Sequence, residues 1–135
     1  LSTVHRHRPE GCECETMKFV SMDDLLAGSD VLILCAPGGD KALVDRESLG
    51  KMKDGVVIVN VSRGSNVDEG ALLEALESGK VRAAGLDVWL SEKDPNWTLA
   101  QHPAVSCTPH IGAGTKEAQK RIGQELVDIV EGFSL

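Results

Sequence analysis

The sequence predicts an α/β fold with a doubly wound, mostly parallel sheet, and two observations carry that prediction. Strand-like runs alternate with helix-like stretches along nearly the whole chain, and strand–helix–strand connections at this spacing are crossovers between parallel strands. The runs VLILCA (31–36) and VVIVNV (56–61) are apolar without interruption, as strands buried on both faces are.

Taken in order, strand-like runs fall at residues 2–5, near Phe19-Val20, and at 31–36, 56–61, 81–88 and 104–107. Between them, Ser21 is placed to cap a helix over 23–27, with Asp24 at its third position. Residues 45–52 form a short helix. The stretch DEGALLEALES (68–78) opens with acids that suit a helix N-terminus, and Gly79 is placed to end it in a left-handed cap. Thr115 caps the last and longest helix, where Ala118, Ile122, Leu126, Ile129, Val130 and Phe133 mark one apolar face.

Bulk properties exclude several function classes. The 135 residues make about one domain, 41% hydrophobic and 26% charged, as in a soluble globular protein. A net charge of −7 argues against nucleic-acid binding or an anionic membrane surface. No apolar run approaches the length needed to span a bilayer. LSTVHRHRPE at the N-terminus has no apolar signal core, and it does not begin with Met, as expected of a fragment. Cys35 and Cys107 sit in apolar runs and are expected to be buried. Cys12 and Cys14 form the one close pair, with no second pair at zinc spacing, so no metal site is expected. Disulfides are not suggested, and a cytoplasmic location is the default.

In doubly wound sheets, ligands sit at the carboxyl ends of the strands. After 31–36 comes PGGDK, where Pro37 stops the strand and Gly38-Gly39 permit close backbone approach, or form an ordinary turn. After 56–61 come Ser62 and Arg63. A guanidinium there offers a planar fork for a carboxylate, or pairs with a structural acid. Asp87 lies in an apolar strand, where a bare carboxylate needs a partner. Glu92 follows five residues later, as a functional or a solvated acid. His110 comes after Thr108-Pro109, as a functional or a structural histidine. Together these place an Arg, a Glu and a His at one sheet edge. A carboxylate beside an imidazole fixes its tautomer and makes it a general acid/base. An arginine nearby holds an anionic carbonyl substrate. That is the equipment for reducing a 2-oxo acid with hydride from a cofactor.

VIVNVSRGSNVDEGALLEALESGKVRAAGLDVW, followed by HPAVSCTPHIGAGTKEAQKRI, closely resembles the D-isomer-specific 2-hydroxyacid dehydrogenases, from about Phe19 into the last helix. The resemblance implies a Rossmann-like sheet and a nicotinamide cofactor. Arg63, in the family's N-x-x-R-G segment, would bind the substrate carboxylate and carbonyl. Asp87, in G-x-D-V, would hold the nicotinamide carboxamide. Glu92 would pair with His110 of P-H-I-G and keep it protonated to higher pH, and His110 would exchange a proton with the substrate oxygen. Ala36, Pro37, Val61, Ser62, His110 and Gly112 would line the cofactor. The implied partners are a small 2-oxo or 2-hydroxy acid and a second copy in a homodimer.

The chain departs from the family pattern in places. The first βα unit, with its phosphate-binding G-x-G-x-x-G, is absent, and the glycines of GAGT (112–115) do not replace it. The substrate domain is absent too. Residues 1–135 therefore read as a partial NAD(P)-binding domain that is inactive alone. The turn after VLILCAP is a residue or two short. The second strand of the family fold ends here in His5-Arg6-His7-Arg8, where NAD-preferring members usually carry an acid. NADP is therefore favoured over NAD, with Arg6 or Arg8 facing the 2′-phosphate. A competing reading is an NAD(P)-responsive co-repressor-type relative that keeps the same Arg, Glu and His without metabolic turnover. A third is a dimerising remnant with exposed apolar surface.

Overall fold

The structure is a computed structural model that describes residues 2–3, 15 and 17–133. Arg6 and its basic neighbours, with Cys12 and Cys14, lie outside the described residues. Strand β1 (Ser2–Thr3) pairs in parallel with β2 (Lys18–Phe19) as a small separate sheet. The main sheet is parallel throughout. It consists of β3 (Val31–Leu34), β4 (Val56–Asn60), β5 (Val81–Leu86) and β6 (Val105–Cys107), side by side in sequence order. The helices are α1 (Met22–Gly28), α2 (Arg46–Lys51), α3 (Glu69–Glu77), α4 (Trp97–Ala100) and α5 (Lys116–Gly132). The architecture is the predicted α/β, Rossmann-like one, with β3, β4 and β5 ending one or two residues earlier than expected.

The caps explain where the helices start. Ser21 accepts the Asp24 amide at 3.1 Å, Asp68 the Ala71 amide at 3.0 Å, and Thr115 the Ala118 amide at 3.1 Å. Each satisfies one orphan donor of a first turn. Asp45 lies outside α2 as its cap. Its carboxylate accepts the Ser48 amide at 2.9 Å while the Ser48 hydroxyl accepts the Asp45 amide at 2.8 Å. Gly79, at φ 77°, closes α3 in the left-handed conformation that residues with a Cβ avoid. Helix α4, capped by Asn96, was not expected. Four residues are too few to show a period.

Because each strand's partner is its successor, every crossover steps the same way across the sheet. Right-handed crossovers then bring their helices to one face. Leu32, Leu34, Val56, Ile58, Ala84 and Leu86 point to that face and pack against Leu26, Leu49, Met52, Leu72, Leu76 and Leu99. Ile58, Leu72 and Leu99 are fully buried, and each such side chain stabilises the fold by about 1.5–3 kcal/mol.

The opposite face corrects an expectation. Val31 and Ile33 are 53% and 57% exposed, because no described element covers that side of β3. Their apolar run therefore does not mark a strand buried on both faces. Cys35 and Cys107 are likewise exposed rather than buried. Cys35 follows the end of β3, and Cys107 ends the short edge strand β6. Helix α5 has no buried residue; its apolar face, from Ile122 to Phe133, is open along its length. Among the described residues no helix is long and apolar enough to cross a membrane.

Candidate active site

The carboxyl edge of the main sheet is where the chemistry-bearing residues gather. Asn60, the last residue of β4, is 1% exposed. It organises the turn that carries Arg63. Its Oδ1 accepts the Ser62 amide at 3.1 Å and the Ser62 hydroxyl at 2.9 Å, and its Nδ2 donates to the Arg63 carbonyl at 2.8 Å. Asn66, equally buried, donates from Nδ2 to the Ser62 hydroxyl and to the Ala36 carbonyl, both at 2.9 Å. One polar network thus ties the turn after β3 to the turn after β4. It leaves no buried side-chain polar atom unpaired among the described residues, as low-dielectric surroundings require.

Gly38 packs where the sequence reading placed a ligand. A Cβ there would lie 2.6 Å from Ser65 Oγ and 3.3 Å from Arg63 Cβ and Cγ, so the room serves the Arg63 stem. The Arg63 guanidinium donates to the Ser62 carbonyl at 2.7 Å. It makes no hydrogen bond to Glu92 or His110, although all three lie at the same edge. Val61, beside Ser62, is half exposed. The 3₁₀ turn Gly64–Asn66 follows.

Asp87, just past β5, is 7% exposed. Its partners come from the loop after β6. Oδ1 accepts the Thr108 hydroxyl and, at 2.9 Å, the Ile111 amide, and Oδ2 accepts the Gly112 amide at 3.0 Å. Burial pushes the carboxyl up, but the Thr108 hydroxyl, the two amides and the neighbouring His110 outweigh it and hold it below its ordinary value. A Cβ on Gly112 would meet Oδ2 at 3.1 Å, so glycine admits this close clasp. The loop between Thr108 and Gly112 is therefore tied to the end of β5.

His110 rides on that loop with φ 55°, the left-handed region uncommon outside glycine. Such a conformation costs of order 1–3 kcal/mol and persists where surrounding bonds over-determine it; here the Asp87 bonds on either side supply the restraint. Nδ1 lies 2.5 Å from Glu92 Oε1. An ionised carboxylate can only accept, so Nδ1 carries the proton in this pair and Nε2 is left for exchange. Both side chains are part-exposed. The structure thus brings Glu92 and His110 into hydrogen-bond contact.

The chain matches the family model described as "D-isomer specific 2-hydroxyacid dehydrogenase, NAD binding domain" over residues 2–112. The chain belongs to this family. It is 46% identical over 117 residues to a hydroxypyruvate reductase of Thermotoga maritima, covering 83% of this chain and 38% of that protein. It is 44% identical over 116 residues to a D-3-phosphoglycerate dehydrogenase of Mycobacterium tuberculosis, covering 84% and 22% respectively. Among solved structures, a glyoxylate reductase from Paecilomyes thermophila superposes with a TM-score of 0.83 at 41% identity, covering 91% of this chain and 38% of that one. A D-lactate dehydrogenase of Aquifex aeolicus, complexed with NAD and lactic acid, gives 0.83 at 30% identity, covering 98% and 45%. The chain therefore spans less than half of each of these relatives.

The edge suits the family's cofactor. Half-exposed Val61 and Ile111 offer apolar surface beside the Asp87 carboxylate, an acceptor, and the His110 ring, a combination that fits a flat heterocycle bearing an amide.

Sequence reasoning missed Asn66 and Thr108. Asn60 alone left a signal, as the one amide closing an otherwise apolar run, VVIVN.

Proposed function

We propose that this chain belongs to a nicotinamide-dependent oxidoreductase that interconverts small D-2-hydroxy acids and 2-oxo acids, and that residues 1–135 supply part of its cofactor domain. The observation that carries the reading is the Glu92–His110 pair, fixed at the sheet edge by the Asp87 clasp. Bound nicotinamide supplies or accepts the hydride. Ala36, Pro37, Val61, Ser62, Asp87 and Gly112 are the residues that would hold it, with Asp87 facing the carboxamide.

In reduction, His110 Nε2 donates its proton to the substrate carbonyl oxygen, and Glu92 stabilises the ring throughout. In oxidation the same nitrogen removes the hydroxyl proton. The Arg63 fork leaves the Ser62 carbonyl to bind the substrate carboxylate and polarise its carbonyl. Glyoxylate and hydroxypyruvate are the substrates to try first, since relatives bear those names.

His110→Asn in the complete enzyme is expected to lower kcat for glyoxylate roughly 10²–10⁴-fold with cofactor affinity little changed. A loss under about tenfold overturns the assignment. The isolated chain is expected to show no turnover.

The basic run His5-Arg6-His7-Arg8 supports NADP over NAD, with Arg6 on the 2′-phosphate. A higher kcat/KM with NADH than with NADPH refutes that preference. The exposed thiols Cys35 and Cys107 suit a reducing compartment such as the cytoplasm. The open faces of β3 and α5 support a homodimer, which sedimentation velocity tests; a concentration-independent monomer refutes it.

A further inference from the structure

We infer that Glu69 is a positioning residue for the Glu92–His110 pair; this rests on the roles proposed for those two residues. Glu92 sits in a loop with little to hold it. Residues 90–94 are exposed and form no helix or strand, and the one bond within them is Asp94 N–H to Ser91 Oγ at 3.3 Å. Apart from His110, the side chain that hydrogen-bonds this loop from outside, among the described residues, is Glu69. Its Oε1 accepts the Leu90 amide at 2.9 Å.

Glu69 is the first residue of α3, so it is anchored by a helix whose buried face locks into the core. Leu90 lies two residues before Glu92. A second element packs against the same peptide. A Cβ on Gly64 would stand 2.0 Å from the Trp89 carbonyl carbon and 2.4 Å from the Leu90 nitrogen, so the Arg63–Gly64 backbone rests directly on it. Trp89, 9% exposed, roots the loop in the core. The Trp89–Leu90 peptide thus touches both the turn that carries Arg63 and the start of α3. Without Glu69 the loop loses its tether on the α3 side, and Glu92 is free to leave His110.

The test compares Glu69→Ala with Glu69→Gln in this chain, each first checked for folding by thermal melt. Two signals are read by NMR. One is hydrogen exchange at the Leu90 amide. The other is the pair of His110 imidazole 15N shifts at alkaline pH, which report which ring nitrogen bears the proton. Glu69→Ala is expected to speed Leu90 exchange about tenfold or more and to move the His110 proton preference from Nδ1 toward Nε2. Glu69→Gln retains the Oε1 acceptor and is expected to leave both signals in place. Glu92→Ala, which removes the acceptor, is the control and should move the His110 shifts by itself. If that control changes nothing, the pairing reading fails. If the control responds but Glu69→Ala leaves His110 unmoved, the pairing stands and the positioning role is overturned, even where Leu90 exchange has risen.

Discussion

Replacing Asn60 by Ala removes three hydrogen bonds at once. The Ser62 amide and hydroxyl lose their shared acceptor, and the Arg63 carbonyl loses its donor. Ser62 is 8% exposed, so its amide cannot turn to water. Its hydroxyl still accepts from Asn66, and the Arg63 carbonyl belongs to an exposed residue. One fully orphaned donor costs about 1–3 kcal/mol, and two partly compensated groups add about 1 kcal/mol between them. The small void adds a little more, so the expected loss is about 3 kcal/mol. For a chain of this size that is a fall in Tm of roughly 10 °C. Urea denaturation of the chain followed by circular dichroism measures it. Asn60→Asp sharpens the test. When protonated, it can accept from Ser62 and donate to Arg63; when ionised, it faces a carbonyl with a buried charge. Its destabilisation relative to the parent should therefore grow as pH rises from about 4 to 7, the range of a carboxyl raised above its ordinary value. A loss below about 1 kcal/mol for Asn60→Ala would mean that the network carries little stability and that the Arg63 turn is held by something else.

Asp87 makes the opposite pH prediction. Its carboxyl is held below the ordinary value, so its contribution is complete above that value and is lost as pH falls through the lowered one. Asp87→Asn should flatten the acid limb of the stability curve and cost about 2 kcal/mol at neutral pH, because an amide cannot accept from both Ile111 and Gly112 as the carboxylate does; an unchanged acid limb refutes the clasp. Gly79→Ala should cost about 1 kcal/mol by thermal melt, since nothing lies within 4 Å of the new methyl and only the φ of 77° opposes it; a stabilised variant refutes that account.

Much of the layout was legible because its signals are local. Ser21, Asp68 and Thr115 announce their helices within four residues, and Gly79 its turn. The strand ends pointed to Arg63, Glu92 and His110 because topology alone puts such residues at one edge. What could not be read depends on what lies opposite in space. VLIL looks the same whether one face or two are covered, and here one is open. Glu69 and Leu90 are 21 residues apart, with no period linking them. The stretch GAGT is set aside as a phosphate loop by its sequence alone, but that the Gly112 amide bonds Asp87 instead could not be read from it.

The strand order has a consequence for how the chain assembles. Each strand of the main sheet pairs only with the strands just before and after it along the chain, so no pairing spans the domain or waits for a distant partner. Loop closure for each addition involves only a short stretch of chain, and its entropic cost stays small. Folding dominated by such near-neighbour pairings is fast for a parallel sheet. On the ribosome β3 and β4 can close over α2 before β6 has been made, which suits a fold laid down in the order of its synthesis.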